Sequence, residues 1–235
     1  GGTTTDMGIL IGGFPILEPQ GISVDGCKTL VRGLKMRSIG AGGDSLVRVE
    51  SGILRVGPQR EGPPACMGGN APTPMDALCF LGELPIGDRQ RAAQAIGGIA
   101  SALARDLRST ALDIVAALTA TIRAAALDFI REVNAQPVYT IQEMLHPDVV
   151  TPVQAIIIGA PAATLKSSLE SALGMRCFVP EHAPVANAMG AALAKTTAQI
   201  TVLADTQRQR FICPELDINE VIPVTFTLDE VRLRG

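Results

Sequence analysis

The chain has 235 residues, of which 47% are apolar and 18% charged, and its formal net charge is −3. This length supports one large or two modest domains with proper cores. With no basic run and no apolar stretch as long as a membrane span, the sequence argues against nucleic acid or a membrane as partner. The five cysteines lie far apart and the two histidines are scattered. This pattern predicts reduced, mostly buried thiols in a cytoplasmic protein, and no zinc site.

The first six residues have a composition that suits an anion. They are Gly1, Gly2, Thr3, Thr4, Thr5 and Asp6. The paired glycines permit a close backbone approach, and the threonines offer hydroxyl groups and successive backbone N–H groups. An ionised Asp6 only accepts hydrogen bonds, so beside a phosphate it would act through Mg²⁺ or an attacking water. The alternative is a plain β-hairpin with a polar entry turn, and these six residues alone do not exclude it.

Residues 7–60 are predicted to form short strands separated by glycines. The predicted strands are Met7–Ile11, Thr29–Leu34, Leu46–Glu50 and Ile53–Val56, with hairpin turns at Gly12-Gly13 and Ser51-Gly52. Between the second and third strands lies another glycine-rich loop, residues 38–45, which contains Gly42 and Gly43. This loop could cradle a ligand or simply turn the chain before Leu46, and both interpretations stay open.

A Gly- and Pro-rich loop leads to the first predicted helix. Residues 57–70 cannot form regular structure and predict an ordered surface loop. Thr73 then has the features of a helix N-cap, with Pro74 at the first helical position and Asp76 three residues on. This is a variant of the capping box, and it accounts for Asp76 without a catalytic role.

Residues 89–133 are predicted to be helical. Apolar residues recur there at spacings of three, four or seven, which places them on one stripe. Gly97-Gly98 and Ser109-Thr110 are predicted breaks, so we expect two or three helices. The abundance of alanine indicates close packing, so this segment belongs to the core and not to a cofactor site.

A second α/β unit follows. The buried-strand run 153–158 ends in a glycine turn, Gly159-Ala160-Pro161, with the proline placed to start a helix. Ligands in open α/β folds bind just past the carboxyl ends of strands, so this turn is either a nucleotide contact or an ordinary βα turn. The other predicted elements are a helix at 162–173 ending at Gly174, a strand at 176–179, a helix at 185–195 with Asn187 in its first turn, and tail strands at 200–203, 209–213 and 224–227.

Several motifs occur in a fixed order. They are Gly1–Asp6, Arg37–Val49, Leu54–Pro58, Pro72–Leu78, Ile158–Ala162 and Ala186–Ala192. Together they resemble the hydantoinase A / 5-oxoprolinase family, a branch of the sugar-kinase/actin-like ATPase superfamily. The resemblance covers about residues 1–195, and its specificity comes from the number and order of the motifs.

The resemblance implies an α/β fold. Residues 1–195 would form an actin-like ATPase (ribonuclease H-like) lobe, with a mixed sheet flanked by helices and the helical segment 89–133. Residues 196–235 would form a small β-rich C-terminal extension. The implied activity is ATP-dependent opening of hydantoin- or 5-oxoproline-type rings by phosphoryl activation of the amide, with ATP and Mg²⁺ as cofactors. An ATP-dependent carboxylase subunit of the same family and a non-catalytic nucleotide-dependent switch or scaffold are the alternatives.

The resemblance also implies a set of site residues. The first six residues resemble the family's second phosphate loop, in which Asp6 would be the catalytic residue and a Mg²⁺ ligand. Gly159-Ala160-Pro161 resembles its adenosine loop, although the family more often has glycine in place of Ala160. The predicted nucleotide contacts are Gly1, Gly2, Thr3, Thr4, Thr5, Gly42, Gly43, Gly159, Ala160, Pro161 and Asn187. The implied partners are a cyclic amide substrate, an N-terminal lobe that carries the first phosphate loop, and a second subunit of hydantoinase B type.

Overall fold

The computed structural model describes residues 2–18, 21–24, 27–29, 31, 33–135, 149–194 and 200–234. Contacts between Cα atoms divide the chain into two compact units, Gly1–Met189 and Gly190–Gly235. Strands and helices are mixed in both, so the protein is an α/β protein built from small sheets.

The first unit contains ten strands and five helices among its described residues, the last helix extending just past its end. The strands are β1 (Thr5–Gly8), β2 (Leu10–Ile11), β3 (Phe14–Pro15), β4 (Ser23–Val24), β5 (Cys27–Lys28), β6 (Met36–Ile39), β7 (Val47–Glu50), β8 (Ile53–Val56), β9 (Gln154–Ile156) and β10 (Arg176–Phe178). The helices are α1 (Pro74–Leu81), α2 (Arg89–Leu103), α3 (Leu107–Asn134), α4 (Ala162–Leu173) and α5 (Ala186–Leu193).

The sheets of the first unit are two-stranded ribbons. β1 pairs with β6 in antiparallel fashion, with Thr5 opposite Ile39 and Gly8 opposite Met36. β7 and β8 form a hairpin, and β2–β3 and β4–β5 form two shorter ones. β9 and β10 are parallel and are joined through α4, as a parallel pair requires a crossover.

Four helices and the ribbons share one core. α1, α2 and α3 pack against one another, and α3 also packs against β6, β8 and α4. Leu78, Ile96, Ile114 and Leu118 are almost fully buried at the centre of this cluster. The apolar stripe predicted along the helical segment is therefore core, as the alanine-rich pattern indicated.

α3 has 28 residues and is the one helix in the described part of the chain that is long and apolar enough to cross a membrane. Length and composition are weak evidence, because the core helix of a soluble protein passes the same test. Its buried face contacts three other helices, which is the behaviour of a core helix.

The helix boundaries differ from the sequence prediction. The break at Gly97-Gly98 is wrong, because α2 continues through both glycines. The break at Ser109-Thr110 is also wrong, since the chain turns earlier, at Ala104, and α3 starts after its N-cap Asp106. The Asp106 side chain accepts a hydrogen bond from the backbone N–H of Ser109, which places that residue in the first turn.

The predicted strands on either side of Ser51-Gly52 are confirmed, whereas the predicted strand Met7–Ile11 is divided between β1 and β2. Both residues of Ser51-Gly52 have positive φ, at 51° and 76°, as a tight hairpin needs. The strand at Thr29–Leu34 is wrong for its described residues: Leu34 forms only an isolated bridge with Leu17, and the regular strand is β6. Residues 30 and 32 lie outside the described part.

The second unit contains an antiparallel sheet. Its strands are β11 (Leu203–Asp205), β12 (Arg210–Cys213) and β13 (Ile218–Val221), in that order, followed by helix α6 (Leu228–Arg234). The strand predicted at Val224–Thr227 is wrong, because a turn closed by the Phe226 N–H and the Pro223 carbonyl occupies it. β13 and α6 were not predicted.

Candidate functional site

The glycine–threonine segment, Gly2–Asp6, lies directly against the loop that follows β6. The Asp44 N–H donates to the Gly2 carbonyl at 2.7 Å. A Cβ added at Gly2 would lie 2.5 Å from Asp44 Oδ2, so a side chain here would collide with that carboxylate. Any larger residue at position 2 would therefore require the Asp44 side chain to move. Gly1 lies outside the described residues.

The threonines of this segment have different environments. The Thr5 hydroxyl donates to the Ala41 carbonyl at 2.6 Å and so ties β1 to the glycine-rich loop. Thr3 is exposed, and the half-buried Thr4 donates to Asp6 Oδ2 at 3.3 Å. Asp6 itself is exposed. Thr3, Thr4 and Asp6 are thus the side chains of the segment that remain nearest to solvent.

Gly42 and Gly43 are buried inside their loop. The Gly42 N–H donates to Ser45 Oγ at 2.8 Å, and the Gly43 carbonyl accepts from the Met75 N–H at 2.9 Å. A Cβ added at Gly43 would lie 3.0 Å from Met75 Cγ and 4.0 Å from Pro161 Cγ. These contacts give both glycines a packing role, and their contact with a nucleotide stays a prediction.

Gly43 therefore meets the turn that follows β9. Gly159 has a positive φ of 110°, and its N–H donates to the Ala183 carbonyl at 2.7 Å. Pro161 is buried and precedes the first residue of α4, whereas Ala160 is exposed. The structure thus brings together the Gly2–Asp6 segment, the 40–45 loop and the 159–161 turn, although they are distant in sequence.

Asn187 lies in a helix that follows directly on the 3₁₀ turn bonded to Gly159. The Ala183 carbonyl that bonds Gly159 belongs to a short 3₁₀ turn, Ala183–Val185, which runs straight into α5. Asn187 is the second residue of α5 and is exposed. Ala183 thus links the turn that precedes this helix to the 159–161 turn, and a role of Asn187 in binding stays a prediction.

Asp76 has a structural role that is larger than the sequence indicated. The capping box at α1 is confirmed, with Thr73 as N-cap. The Asp76 carboxylate accepts from the Thr73 N–H and hydroxyl, and also from the N–H groups of Ala65 and Cys66. It therefore holds the Gly- and Pro-rich loop against α1, a contact that no local motif predicts.

Sequence reasoning missed the ion pair beside Gly2. Arg60 Nη2 lies 3.0 Å from Asp44 Oδ2, and the Arg60 Nε–H donates to the Gly62 carbonyl at 3.2 Å. The sequence signal was Asp44, an acidic residue inside a glycine-rich loop. A carboxylate next to a predicted anion site needs a positive partner.

A second charged cluster lies at the other end of the β1–β6 ribbon. Buried Lys35 pairs with Glu18 at 3.2 Å and with Glu132 of α3 at 3.0 Å, and Arg37 also pairs with Glu132. The hydrogen bond from Lys35 holds the pKa of Glu132 below its usual value, and Arg37 adds to this. Lys35, Glu18 and Glu132 border a cavity of about 380 Å³. Met36 opposite Gly8 marks this end, so the cavity is separate from the glycine loops.

The residues present suit a metal ion only if another group shares it. Among the described residues, no group of three or more His, Cys, Asp or Glu side chains could hold a metal ion. Asp6 offers one exposed carboxylate. Mg²⁺ commonly takes one or two carboxylates together with phosphate oxygens and water, so Asp6 fits a Mg²⁺ that a bound nucleotide would share.

The comparisons with known proteins agree on one family. The hydantoinase/oxoprolinase family model matches residues 1–200. The nucleotide-free structure of acetone carboxylase is similar with a TM-score of 0.65, at 22% identity, over 86% of this chain and 29% of that chain. The ATP-dependent caprolactamase from Pseudomonas jessenii is similar with a TM-score of 0.54, at 27% identity, over 74% of this chain and 26% of that chain. No curated protein matches.

These matches confirm the resemblance drawn from the ordered motifs. The chain spans less than a third of the length of either solved relative. The acetone carboxylase match shows a shared α/β fold. Because the family model covers most of the sequence, the chain belongs to the hydantoinase/oxoprolinase family.

Proposed function

We propose that this chain forms one side of the ATP site in an enzyme that opens cyclic amides. The observation that carries the proposal is the meeting of three glycine-containing segments, where Asp44 lies against Gly2 and Pro161 lies near Gly43. The 27% identity with an ATP-dependent caprolactamase supports ATP as the ligand and a lactam-type ring as the substrate.

Each segment has a part in this proposal. The backbone N–H groups and hydroxyls of Gly2–Thr5 would hold the phosphates, and Asp6 would hold Mg²⁺ or orient a water molecule. Gly159, Ala160 and Pro161 would contact the adenosine, with Asn187 beside them. The methyl group of Ala160 is exposed and narrows that space. The buried contacts of Thr5 and Gly43 would fix these groups before the ligand arrives.

Bound ATP would supply the phosphoryl group that makes the amide carbon electrophilic. Phosphoryl transfer depends on positioning and charge neutralisation more than on covalent chemistry by the protein. The chain would therefore contribute by orienting the phosphates and compensating their charge. Water must be excluded from the site, which requires a second surface that closes over it.

The proposal includes an architecture. The chain would be an actin-like lobe, because its parallel pair β9–β10 is joined by α4, and β6 and β8 of its antiparallel ribbons pack against α3. A lobe with the first phosphate loop and a subunit of hydantoinase B type would be its partners, in the cytoplasm. The extension beyond residue 195 has no assigned part in this chemistry.

A carboxylase of the same family is the second candidate. It would use the same nucleotide site but would require bicarbonate and a ketone in place of a cyclic amide. A nucleotide-dependent switch would bind ATP without converting any substrate. Finding which substrate, if any, stimulates ATP turnover distinguishes the cyclic amidohydrolase, the carboxylase and the switch.

The test uses the full-length polypeptide that carries this sequence. It is incubated with Mg-ATP and either caprolactam, hydantoin, 5-oxoproline, or acetone with bicarbonate, and ADP and the organic product are quantified together. Release of ADP matched by a ring-opened product supports the proposal. The Asp6→Ala variant should lose turnover, whereas the control Asp128→Ala, at an exposed carboxylate of α3, should keep it. Bicarbonate-dependent turnover of acetone would instead establish the carboxylase.

A further inference from the structure

The ion pair between Asp44 and Arg60 joins a largely buried carboxylate to an exposed arginine side chain. The Asp44 side chain is 18% exposed, and its carboxylate occupies the volume that a side chain at Gly2 would fill. Its backbone N–H also bonds the Gly2 carbonyl. Asp44 thus bonds the glycine–threonine segment through its backbone N–H and lies against it with its carboxylate.

A carboxylate in this place would repel an anion on the segment. Like charges a few ångströms apart, partly shielded from water, oppose each other strongly. Arg60 offsets this charge, and its guanidinium is 44% exposed. Arginine has five N–H donors in a planar fork. Within the described part of the chain, Nη2 bonds Asp44 and Nε bonds the Gly62 carbonyl, so Nη1 is left to contact a ligand.

We propose that Arg60 binds the anionic end of the ligand held at Gly2–Asp6, and that Asp44 positions Arg60 for this contact. The ligand class is a phosphate or polyphosphate, for which the guanidinium fork is well suited. The inference rests on the proposed function for the identity of that ligand as ATP. Arg60 is a binding residue in this scheme, and Asp44 is a positioning residue.

The experiment measures binding of a non-hydrolysable Mg-ATP analogue, inorganic pyrophosphate and adenosine to the full-length polypeptide by calorimetry. Arg60→Met should weaken binding of the ATP analogue and pyrophosphate by roughly 10- to 100-fold, the loss expected for a charge-assisted hydrogen bond. Adenosine has no phosphate, so its affinity should stay unchanged. Arg60→Lys should recover part of the loss, because it restores the charge without the fork.

The role of Asp44 is tested in the same background. In Arg60→Met the Asp44 carboxylate faces the anion without compensation, so adding Asp44→Asn should raise the affinity for the ATP analogue again. Asp44→Asn alone removes the same charge but also leaves Arg60 without its partner, so it should raise the affinity less than it does in Arg60→Met. An equal rise in both backgrounds would overturn the positioning role of Asp44, and no rise in Arg60→Met would show that the Asp44 charge does not oppose the anion.

Three further outcomes test the contact between Arg60 and the anion, and the identity of the ligand as ATP. If Arg60→Met binds the ATP analogue within twofold of the unmodified protein, or if adenosine binding falls equally, Arg60 does not contact the anion. Arg60-dependent binding of pyrophosphate without binding of the ATP analogue would keep this inference and refute the proposed function. A protein that binds neither anion refutes both.

Discussion

Replacing Asp76 by alanine should remove a large part of the protein's stability. The carboxylate is fully buried and accepts four hydrogen bonds. Two come from Thr73, from its N–H at 2.9 Å and its hydroxyl at 2.8 Å. The others come from the N–H groups of Cys66 at 2.7 Å and Ala65 at 3.2 Å.

The expected loss exceeds that of a helix cap. A missing cap alone costs about 1 kcal/mol. Asp76→Ala would also leave the N–H groups of Ala65 and Cys66 buried without their acceptor. Each buried N–H group that loses its acceptor costs about 1–3 kcal/mol, and this cost adds to that of the cap. We therefore expect the free energy of unfolding to fall by about 3–5 kcal/mol.

Urea unfolding followed by circular dichroism measures this loss, with Asp88→Ala as the matched control. Asp88 is the exposed N-cap of α2 and accepts from the N–H groups of Gln90 and Arg91. Within the described part of the chain its side chain bonds no distant loop, so its loss should be about 1 kcal/mol. Equal losses for the two variants would refute the role of Asp76 in holding the 65–66 turn. Lost turnover with unchanged stability would show that Asp76 is catalytic.

Three other predictions concern helix, charge and thiol chemistry. Gly98→Ala should raise the free energy of unfolding by about 0.5–1 kcal/mol in urea, because an added Cβ there meets no atom within 4 Å. The hydrogen bond from Lys35 lowers the pKa of Glu132 from 4.5. The stability that Glu132 contributes is therefore fully present above pH 4.5 and is lost as the pH falls through the lowered pKa. Glu132→Gln should flatten the acid side of a curve of unfolding free energy against pH. Burial raises the pKa of the Cys66 thiol, so at pH 8 a thiol reagent should label exposed Cys27 at once and Cys66 only on unfolding, as mass spectrometry would show.

Elements with local signals could be predicted from the sequence. The turn at Ser51-Gly52, the capping box of α1 and the full extent of α4, with Gly174 at its end, follow from residues close to each other in the chain. Four of the five cysteines are buried, as their spacing and the lack of a zinc pattern indicated.

Elements that depend on distant contacts could not be predicted. The glycines at 97 and 98 do not break α2, because buried Ile96 and Ile99 hold that helix in the core. β13 was missed because its pairing with β12 follows a 3₁₀ turn that ends at Asp217, a non-glycine residue with positive φ. Secondary-structure propensities summed over a short stretch of sequence do not include such tertiary contacts.

The candidate site shows the same division. Its glycines and Asp6 were named from local composition, but their meeting depends on chain segments that are far apart. The contact between Gly43 and Pro161 and the position of Asp44 over Gly2 are properties of the packed structure. Arg60 was missed for this reason, since nothing beside it in the sequence indicates that it pairs with Asp44.

A crystal structure of the full-length polypeptide with a non-hydrolysable Mg-ATP analogue tests the nucleotide site most directly. We expect the phosphates at Gly2–Asp6, with the metal ion near Asp6, and the adenosine at Gly159–Pro161. A nucleotide bound elsewhere, with these segments unchanged and unoccupied, would contradict the proposed site.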